Sequence, residues 1–218
     1  MRTRPRIKIC CIASLDEAKM AIDAGASALG LVSAMPSGPG PISEEEIAKI
    51  APRVPPGVAT FLLTCKQRGV EIVNQLHRTG CNTIQLCDEL EVDEYALIRR
   101  ACPSVRIVQV IHVQDHDSLE EAKAVWPHVD AILLDSGRPR AATKELGGTG
   151  RVHDWQTSRR IRDAVSVPVY LAGGLRTDNV RQAIEEVKPF GLDLCTGVRT
   201  DGKLDFTKLN AFMRTALQ

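Results

Sequence analysis

The chain has 218 residues, of which 44% are hydrophobic and 25% charged, and its 28 basic and 27 acidic residues give a formal net charge of +1. This composition is ordinary for one soluble domain with a sizeable core. The near-neutral charge argues against a nucleic-acid or membrane-surface partner, and no signal peptide or transmembrane segment is visible, so we expect a cytoplasmic protein. The seven cysteines form no CxxC pair, which argues against a disulfide framework and a zinc site.

Short apolar runs alternate with amphipathic stretches along the chain. The predicted strands span residues 7–12, 28–32, 58–63, 83–86, 105–111, 131–134, 167–172 and 192–195. Each is followed by a predicted helix, and these span residues 14–24, a stretch that begins after Ser43, then 70–78, 92–101, 118–125, 154–164, 177–187 and 206–217. Ser14 with Glu17, and Ser43 with Glu46, have the spacing of a capping box at a helix start.

Eight strand-then-helix units predict a parallel sheet covered by helices. We therefore predict one domain, residues 1–218, folded as a closed (β/α)₈ TIM barrel. A doubly wound open sheet is the alternative. It is disfavoured because no GxGxxG motif follows the first strand and because six strands usually suffice for that fold.

The stretch from Val129 to Trp155 carries the strongest chemical signal. Asp135 stands where a buried apolar run stops, and a carboxylate there is costly unless it is paired or used, so it is a candidate acid or base. Gly147, Gly148 and Gly150 surround Thr149, and Asp154 then has the position of an N-cap. A glycine-rich turn that leads into a helix predicts a phosphate site. An ordinary strand, loop and helix is the alternative.

In a barrel, the residues after all eight strands face one mouth. These residues are Cys10, Cys11, Ser33, Thr64, Cys87, Asp88, His112, Asp135, Gly173, Gly174 and residues 195–197. Side-chain alternation predicts that only one of Cys10 and Cys11 points inward. Phosphate commonly binds at the loops after strands seven and eight, where glycines allow close approach, and the 147–150 turn is placed to complete that pocket.

Several of these residues also have ordinary explanations. A lone cysteine such as Cys10 is usually core filler, and His112 is more often a hydrogen-bonded or loop histidine than a metal ligand. His77 is expected on the surface. The Asp88–Glu89 pair has the character of a solvated loop or helix start. Arg138 and Arg140 either clamp an anion or belong to a solvated loop.

With these residues in place, the chain resembles the phosphoribosylanthranilate isomerase family, (β/α)₈ enzymes of tryptophan biosynthesis. The resemblance runs from Lys8 to about Leu217. It rests on KIC (8–10), AGASALGLV (24–32), QL with DE (85–89), LLDS (133–136), GGTGRVHDW (147–155), LAGGLRTDNV (171–180) and GLDLCTGVRTDGKLD (191–205). It implies a barrel of the ribulose-phosphate-binding type and an Amadori rearrangement of an aminoaldose to an aminoketose, without metal or cofactor.

The resemblance also implies roles for individual residues. Asp135 is then the general acid that protonates the furanose ring oxygen, and Cys10 the general base that removes the ribose C2′ proton. Asp193 corresponds to a strand-eight aspartate near the ribose. The implied phosphate ligands are Gly148, Gly173, Gly174, Thr196 and Gly197. The expected partner is a small phosphoribosyl substrate, and the expected assembly is a monomer or a homodimer.

Four positions depart from the family pattern. Gly40 stands where an arginine that faces the anthranilate carboxylate is expected, and Cys87 replaces a histidine. Leu31 replaces an aromatic residue, and Arg199 replaces a glutamate. Loss of a charge-assisted contact costs roughly 1.5–3 kcal/mol, unless Arg138 or Arg199 substitutes.

These departures leave three hypotheses. The chain is a phosphoribosylanthranilate isomerase, a diverged paralogue that isomerises another phosphoribosyl amine, or a non-catalytic barrel that binds phosphate.

Overall fold

A computed structural model describes residues 4–114, 117–139, 141–148 and 150–218. Eight parallel strands form a closed barrel in sequence order, which confirms the predicted fold. They are β1 (Arg6–Ile9), β2 (Ala28–Val32), β3 (Ala59–Thr64), β4 (Thr83–Leu86), β5 (Arg106–His112), β6 (Ala131–Asp135), β7 (Val169–Leu171) and β8 (Gly191–Leu194). Pairing of β8 with β1 closes the barrel and sets Lys8 opposite Asp193.

The helices follow the strands as predicted. They are α1 (Leu15–Asp23), α2 (Glu44–Ile50), α3 (Gly69–Thr79), α4 (Val92–Ala101), α5 (Asp117–Val125), α6 (Trp155–Ala164), α7 (Val180–Val187) and α8 (Phe206–Leu217). The side chains of Ser14, Ser43 and Asp154 accept backbone hydrogen bonds at the starts of α1, α2 and α6, so these N-caps are confirmed.

Helix α7 begins three residues later than predicted. The side chain of Asn179 accepts from the Arg176 amide and donates to the Gly174 carbonyl, which holds the preceding residues in a turn. A short antiparallel hairpin, β9 (Arg199–Thr200) with β10 (Lys203–Leu204), precedes α8 and was not predicted.

The core has two layers. One lies between the strands and the surrounding helices, and the other fills the barrel interior below the mouth. Inside the barrel, the fully buried Lys8 donates from Nζ to Asp193 Oδ2 at 2.8 Å, and its Nζ lies 5.2 Å from the centre of the Phe61 ring. The floor of the mouth is therefore an ion pair set among apolar side chains. Among the described residues, no helix has the length and apolar character needed to cross a membrane.

Candidate active site

An open cavity of about 720 Å³, its mouth included, lies at the carboxyl ends of the strands. Its lining includes all eight residues proposed from the sequence for catalysis or binding: Cys10, Asp135, Gly148, Gly173, Gly174, Asp193, Thr196 and Gly197. The fold brings these residues together because they lie at or just after the carboxyl ends of β1, β6, β7 and β8, or in a loop that returns to the mouth.

Cys10 follows β1 and is 7% exposed. A hydrogen bond with Cys11 and the positive charge of Lys8 lower the pKa of the Cys10 thiol, against the opposing effect of burial. Both Cys10 and Cys11 line the cavity, so the prediction that only one points inward was wrong. The reason is local: Cys11 has a φ of 63°, which ends the extended conformation on which alternation depends.

Asp135 ends β6 and is 9% exposed. Its Oδ1 accepts from the Ser136 amide at 2.7 Å. Burial raises the pKa of the Asp135 carboxyl, and the Ser136 amide and nearby His112 oppose the rise without cancelling it. The environment therefore favours a protonated acid at this position.

Lys8 lies below both groups, and the sequence analysis gave it no role. Burial disfavours its charge, but the Asp193 carboxylate and the thiols of Cys10 and Cys11 outweigh that effect, and the pKa of Lys8 lies above its usual value. Asp193 Oδ1 is buried and has no partner among the described residues. The position of this lysine in the middle of a predicted strand is a sequence signal from which a charged barrel interior could have been predicted.

The loops after β7 and β8 form a cradle of backbone amides. Gly173 and Gly174 have φ values of 80° and 61°. Within the described ranges, the amides of Gly173, Gly174, Thr196 and Gly197 donate to no protein acceptor. A Cβ on Gly197 would lie 2.2 Å from the Leu175 carbonyl oxygen, so this backbone position requires glycine. Free amides around an open space suit a phosphate group.

The turn that contains Gly147, Gly148 and Gly150 closes the other side of the cavity. A Cβ on Gly147 would lie 2.6 Å from Asp135 Oδ2, so this glycine lets the backbone cover the acid. Helix α6 begins at Trp155, so the glycine-rich turn does not lead directly into the helix N-terminus that the predicted phosphate site was expected to use. Thr149 lies outside the described residues.

The described residues that line the cavity include no arginine and no lysine. Gly40 has a φ of 80°, and a Cβ on it would lie 2.5 Å from Cys11 Cβ, so Cys11 occupies the place of a side chain there. Arg199 donates to Glu17 and to the carbonyls of Cys10 and Cys11 and does not line the cavity, which argues against the alternative that it substitutes for the missing arginine.

The other candidates lie away from the cavity. Arg138 is exposed and does not line it, and Arg140 lies outside the described residues. Leu31 is buried in the layer that faces the helices, so its departure from the family pattern leaves the site unchanged. His77 is exposed, as expected.

Asp88, which follows β4, corrects a prediction. Asp88 is 6% exposed rather than solvated, and its Oδ2 accepts from Lys144 Nζ at 2.5 Å. Burial raises the pKa of Cys87, which lines the cavity as a neutral thiol. His112 Nε2 lies 3.0 Å from the Cys87 carbonyl oxygen, so it is a hydrogen-bonded histidine. The described residues contain no group of three side chains suited to hold a metal ion.

Comparison with known proteins agrees with this geometry. Residues 7–215 match the family model described as N-(5′-phosphoribosyl)anthranilate (PRA) isomerase. An N-(5′-phosphoribosyl)anthranilate isomerase 2 from Methanosarcina mazei is 35% identical over 213 residues, 97% of this chain and 93% of that protein.

Solved structures show the same relation. The crystal structure of phosphoribosyl anthranilate isomerase from Thermotoga maritima superposes with a TM-score of 0.82 at 29% identity, over 97% of this chain and 98% of that one. A phosphoribosyl anthranilate isomerase in complex with reduced 1-(o-carboxyphenylamino)-1-deoxyribulose 5-phosphate gives a TM-score of 0.80 at 27% identity, with coverage of 97% and 98%.

Proposed function

Because the chain belongs to the N-(5′-phosphoribosyl)anthranilate isomerase family, we propose that Cys10 and Asp135 are the base and the acid of its reaction. The chain is an isomerase, and its reaction is the Amadori rearrangement of N-(5-phosphoribosyl)anthranilate, a step of tryptophan biosynthesis. One observation carries the proposal: the two groups line a single cavity, and their pKa values are shifted in opposite directions, each toward the protonation state that its role requires.

The first step is ring opening. Asp135, whose pKa is raised by burial, donates its proton to the ribose ring oxygen. The bond from C1′ to that oxygen breaks, and the nitrogen lone pair forms the C1′=N bond of a Schiff base. Asp135 lines the cavity, and the lack of a side chain on Gly147 avoids a contact with Asp135 Oδ2 that a Cβ would make at 2.6 Å.

The second step is removal of the C2′ proton. The Cys10 thiolate takes the proton, and the electron pair forms the C1′=C2′ bond while the nitrogen becomes neutral. The enolamine then gains a proton at C1′ and loses one from the C2′ hydroxyl, which gives the aminoketose. Lys8 stabilises the thiolate from below, since its ammonium lowers the pKa of Cys10.

The phosphate end orients the substrate. We propose that the amides of Gly173, Gly174, Thr196 and Gly197 hold the phosphate, whereas the Gly148 amide, across the cavity, donates to the Asp135 carboxyl. Asp193 has its free Oδ1 available to a ribose hydroxyl. Binding energy from a remote phosphate contributes to catalysis by fixing the reacting atoms in position.

The described lining of the cavity has no arginine or lysine to pair with a carboxylate on the aromatic group of the substrate, and this favours one further activity. We propose that the enzyme also isomerises phosphoribosyl amines whose aromatic group carries no carboxylate. A phosphoribosyl aniline would then react with a kcat/KM within about tenfold of that for the anthranilate compound, since no charge-assisted contact is lost. A loss above about a hundredfold would contradict this.

Replacement of the base tests the catalytic assignment. We expect Cys10→Ala to reduce kcat by at least about a hundredfold, the usual contribution of a positioned base. The matched control is Cys81→Ala, which removes a buried thiol from the layer between strands and helices and not from the cavity. Equal kcat values for the two variants would overturn the assignment.

A further inference from the structure

Three of the four cysteines that line the cavity follow the neighbouring strands β1 and β8: Cys10, Cys11 and Cys195. Cys195 Sγ lies 2.7 Å from Cys11 Sγ, although the two residues are 184 positions apart in the sequence. Both are free thiols. The isomerisation uses Cys10 as the base and assigns no chemistry to the other two.

The fold holds this pair of sulfur atoms together. Strands β1 and β8 are neighbours, so the residues that follow them leave the barrel side by side. The positive φ of Cys11 turns its side chain toward β8, and the lack of a side chain on Gly40 leaves room for its Cβ. Cys11 is buried, whereas Cys195 is partly exposed and accessible to a small solute.

We propose that Cys11 and Cys195 form a reversible disulfide in the presence of a peroxide, and that this disulfide switches the isomerase off. The loss of isomerase activity rests on the proposed function, whereas the formation of the disulfide does not. The two sulfur atoms need to approach by only about 0.7 Å to reach a bonded separation.

The reaction balances with hydrogen peroxide as the oxidant. The Cys195 sulfur attacks one peroxide oxygen, the S–O bond forms and the O–O bond breaks, and the released hydroxide takes up the thiol proton and leaves as water. The Cys11 thiol then attacks this sulfenic acid, the S–S bond forms, and the S–O bond breaks with loss of a second water. The two thiols lose two electrons in total, and the peroxide accepts them. A reducing thiol restores the pair by exchange.

The disulfide would act on both ends of the active site. It removes the Cys11 thiol that lowers the pKa of Cys10 through a hydrogen bond, so the base is less available as the thiolate. It also fixes Cys195, which immediately precedes the amides of Thr196 and Gly197 in the proposed phosphate cradle. Oxidation should therefore lower kcat and raise KM together.

The first test is chemical. The reduced protein is treated with hydrogen peroxide, free thiols are blocked by alkylation, and tryptic peptides are identified by mass spectrometry without reduction. We expect a linked pair composed of residues 9–19 and 182–199, with fragmentation that assigns the bond to Cys11 rather than Cys10. This readout does not depend on activity, so it remains decisive if the proposed isomerase function fails. Absence of the linked pair would overturn the proposal.

The second test is kinetic. Peroxide should reduce the wild-type rate at least about tenfold, and dithiothreitol should restore it. The Cys195→Ser variant should have the same rate after peroxide treatment as before it. Cys65→Ser, which removes another partly exposed thiol outside the cavity, should be inactivated like the wild type. Equal inactivation of Cys195→Ser would show that peroxide acts on Cys10 directly, and would overturn the switch.

Discussion

At the scale of single residues, the site depends on two groups whose surroundings shift their pKa values in opposite directions. The hydrogen bond from Cys11 and the charge of Lys8 favour the Cys10 thiolate, while burial favours the protonated form of Asp135. On the proposed assignment, a base and an acid are thus prepared within one cavity before the substrate arrives. The protein supplies the field, and the reaction requires only proton transfers.

This arrangement predicts a bell-shaped pH dependence of kcat/KM. The thiolate exists above its lowered pKa, so the acidic limb should lie below the value of about 8.5 usual for cysteine. The acid keeps its proton below its raised pKa, so the basic limb should lie above the value of about 3.9 usual for aspartate. The measurement is the initial rate across pH, and an acidic limb at or above about 8.5 would contradict the assignment of Cys10.

A second residue-scale prediction concerns Gly40. Gly40→Arg restores the arginine of the family pattern, but its positive φ and its 2.5 Å approach to Cys11 Cβ leave no place for a side chain. Strain and overpacking should lower the free energy of unfolding by about 1–3 kcal/mol without improving KM. The double variant with Cys11→Gly should recover the part of that loss that comes from overpacking, while the strain of the positive φ remains. Urea unfolding measures both, and a single variant as stable as the wild type would refute the account.

At the scale of secondary structure elements, the closure of β1 against β8 places Lys8 beside Asp193 in the barrel interior. Lys8→Met leaves the buried carboxylate unpaired, and we expect the free energy of unfolding to fall by about 3–5 kcal/mol. The control is Lys19→Met, which breaks an exposed pair with Asp23 on α1 and should cause no measurable change. Urea unfolding is the measurement, and equal stability of the two variants would contradict this.

The loops after β7 and β8 give an element-scale prediction about binding. In Gly197→Ala, the new Cβ would meet the Leu175 carbonyl oxygen at 2.2 Å, so the loop must shift and the amide cradle is distorted. Loss of one hydrogen bond to a charged group should raise KM about tenfold or more. Gly57 also has a positive φ, but a Cβ on it would have no neighbour within 4 Å. The KM of the control variant Gly57→Ala should therefore not change. Similar KM values for both variants would argue against the cradle.

At the scale of the whole molecule, the architecture could be predicted from the sequence because the strand pattern, the helix pattern and the number of units all indicate the same fold. Apolar runs of strand length alternate with capped amphipathic stretches, and eight such units allow few arrangements. Helices such as α4 and α8 were predicted with their observed bounds. The hairpin of β9 with β10 escaped prediction because two-residue strands carry no periodic signal.

The site was also predictable, but only as far as the barrel rule extends. That rule brings Cys10, Asp135 and the glycines after β7 to one mouth. It does not give side-chain contacts. The burial of Asp88 depends on Lys144, which is remote in sequence, and the contact of Cys11 with Cys195 depends on a positive φ that a cysteine rarely adopts. These features arise from tertiary packing rather than from local pattern.

The most direct test of this account is the fluorescence decay of freshly prepared phosphoribosylanthranilate in the presence of the purified wild type or the Asp135→Asn variant. We predict decay well above the uncatalysed rate with the wild type and a decrease of at least about a hundredfold in the variant, because the amide has no proton to give to the ring oxygen. Decay that is unchanged in the variant, or absent with the folded wild-type protein, would contradict the account.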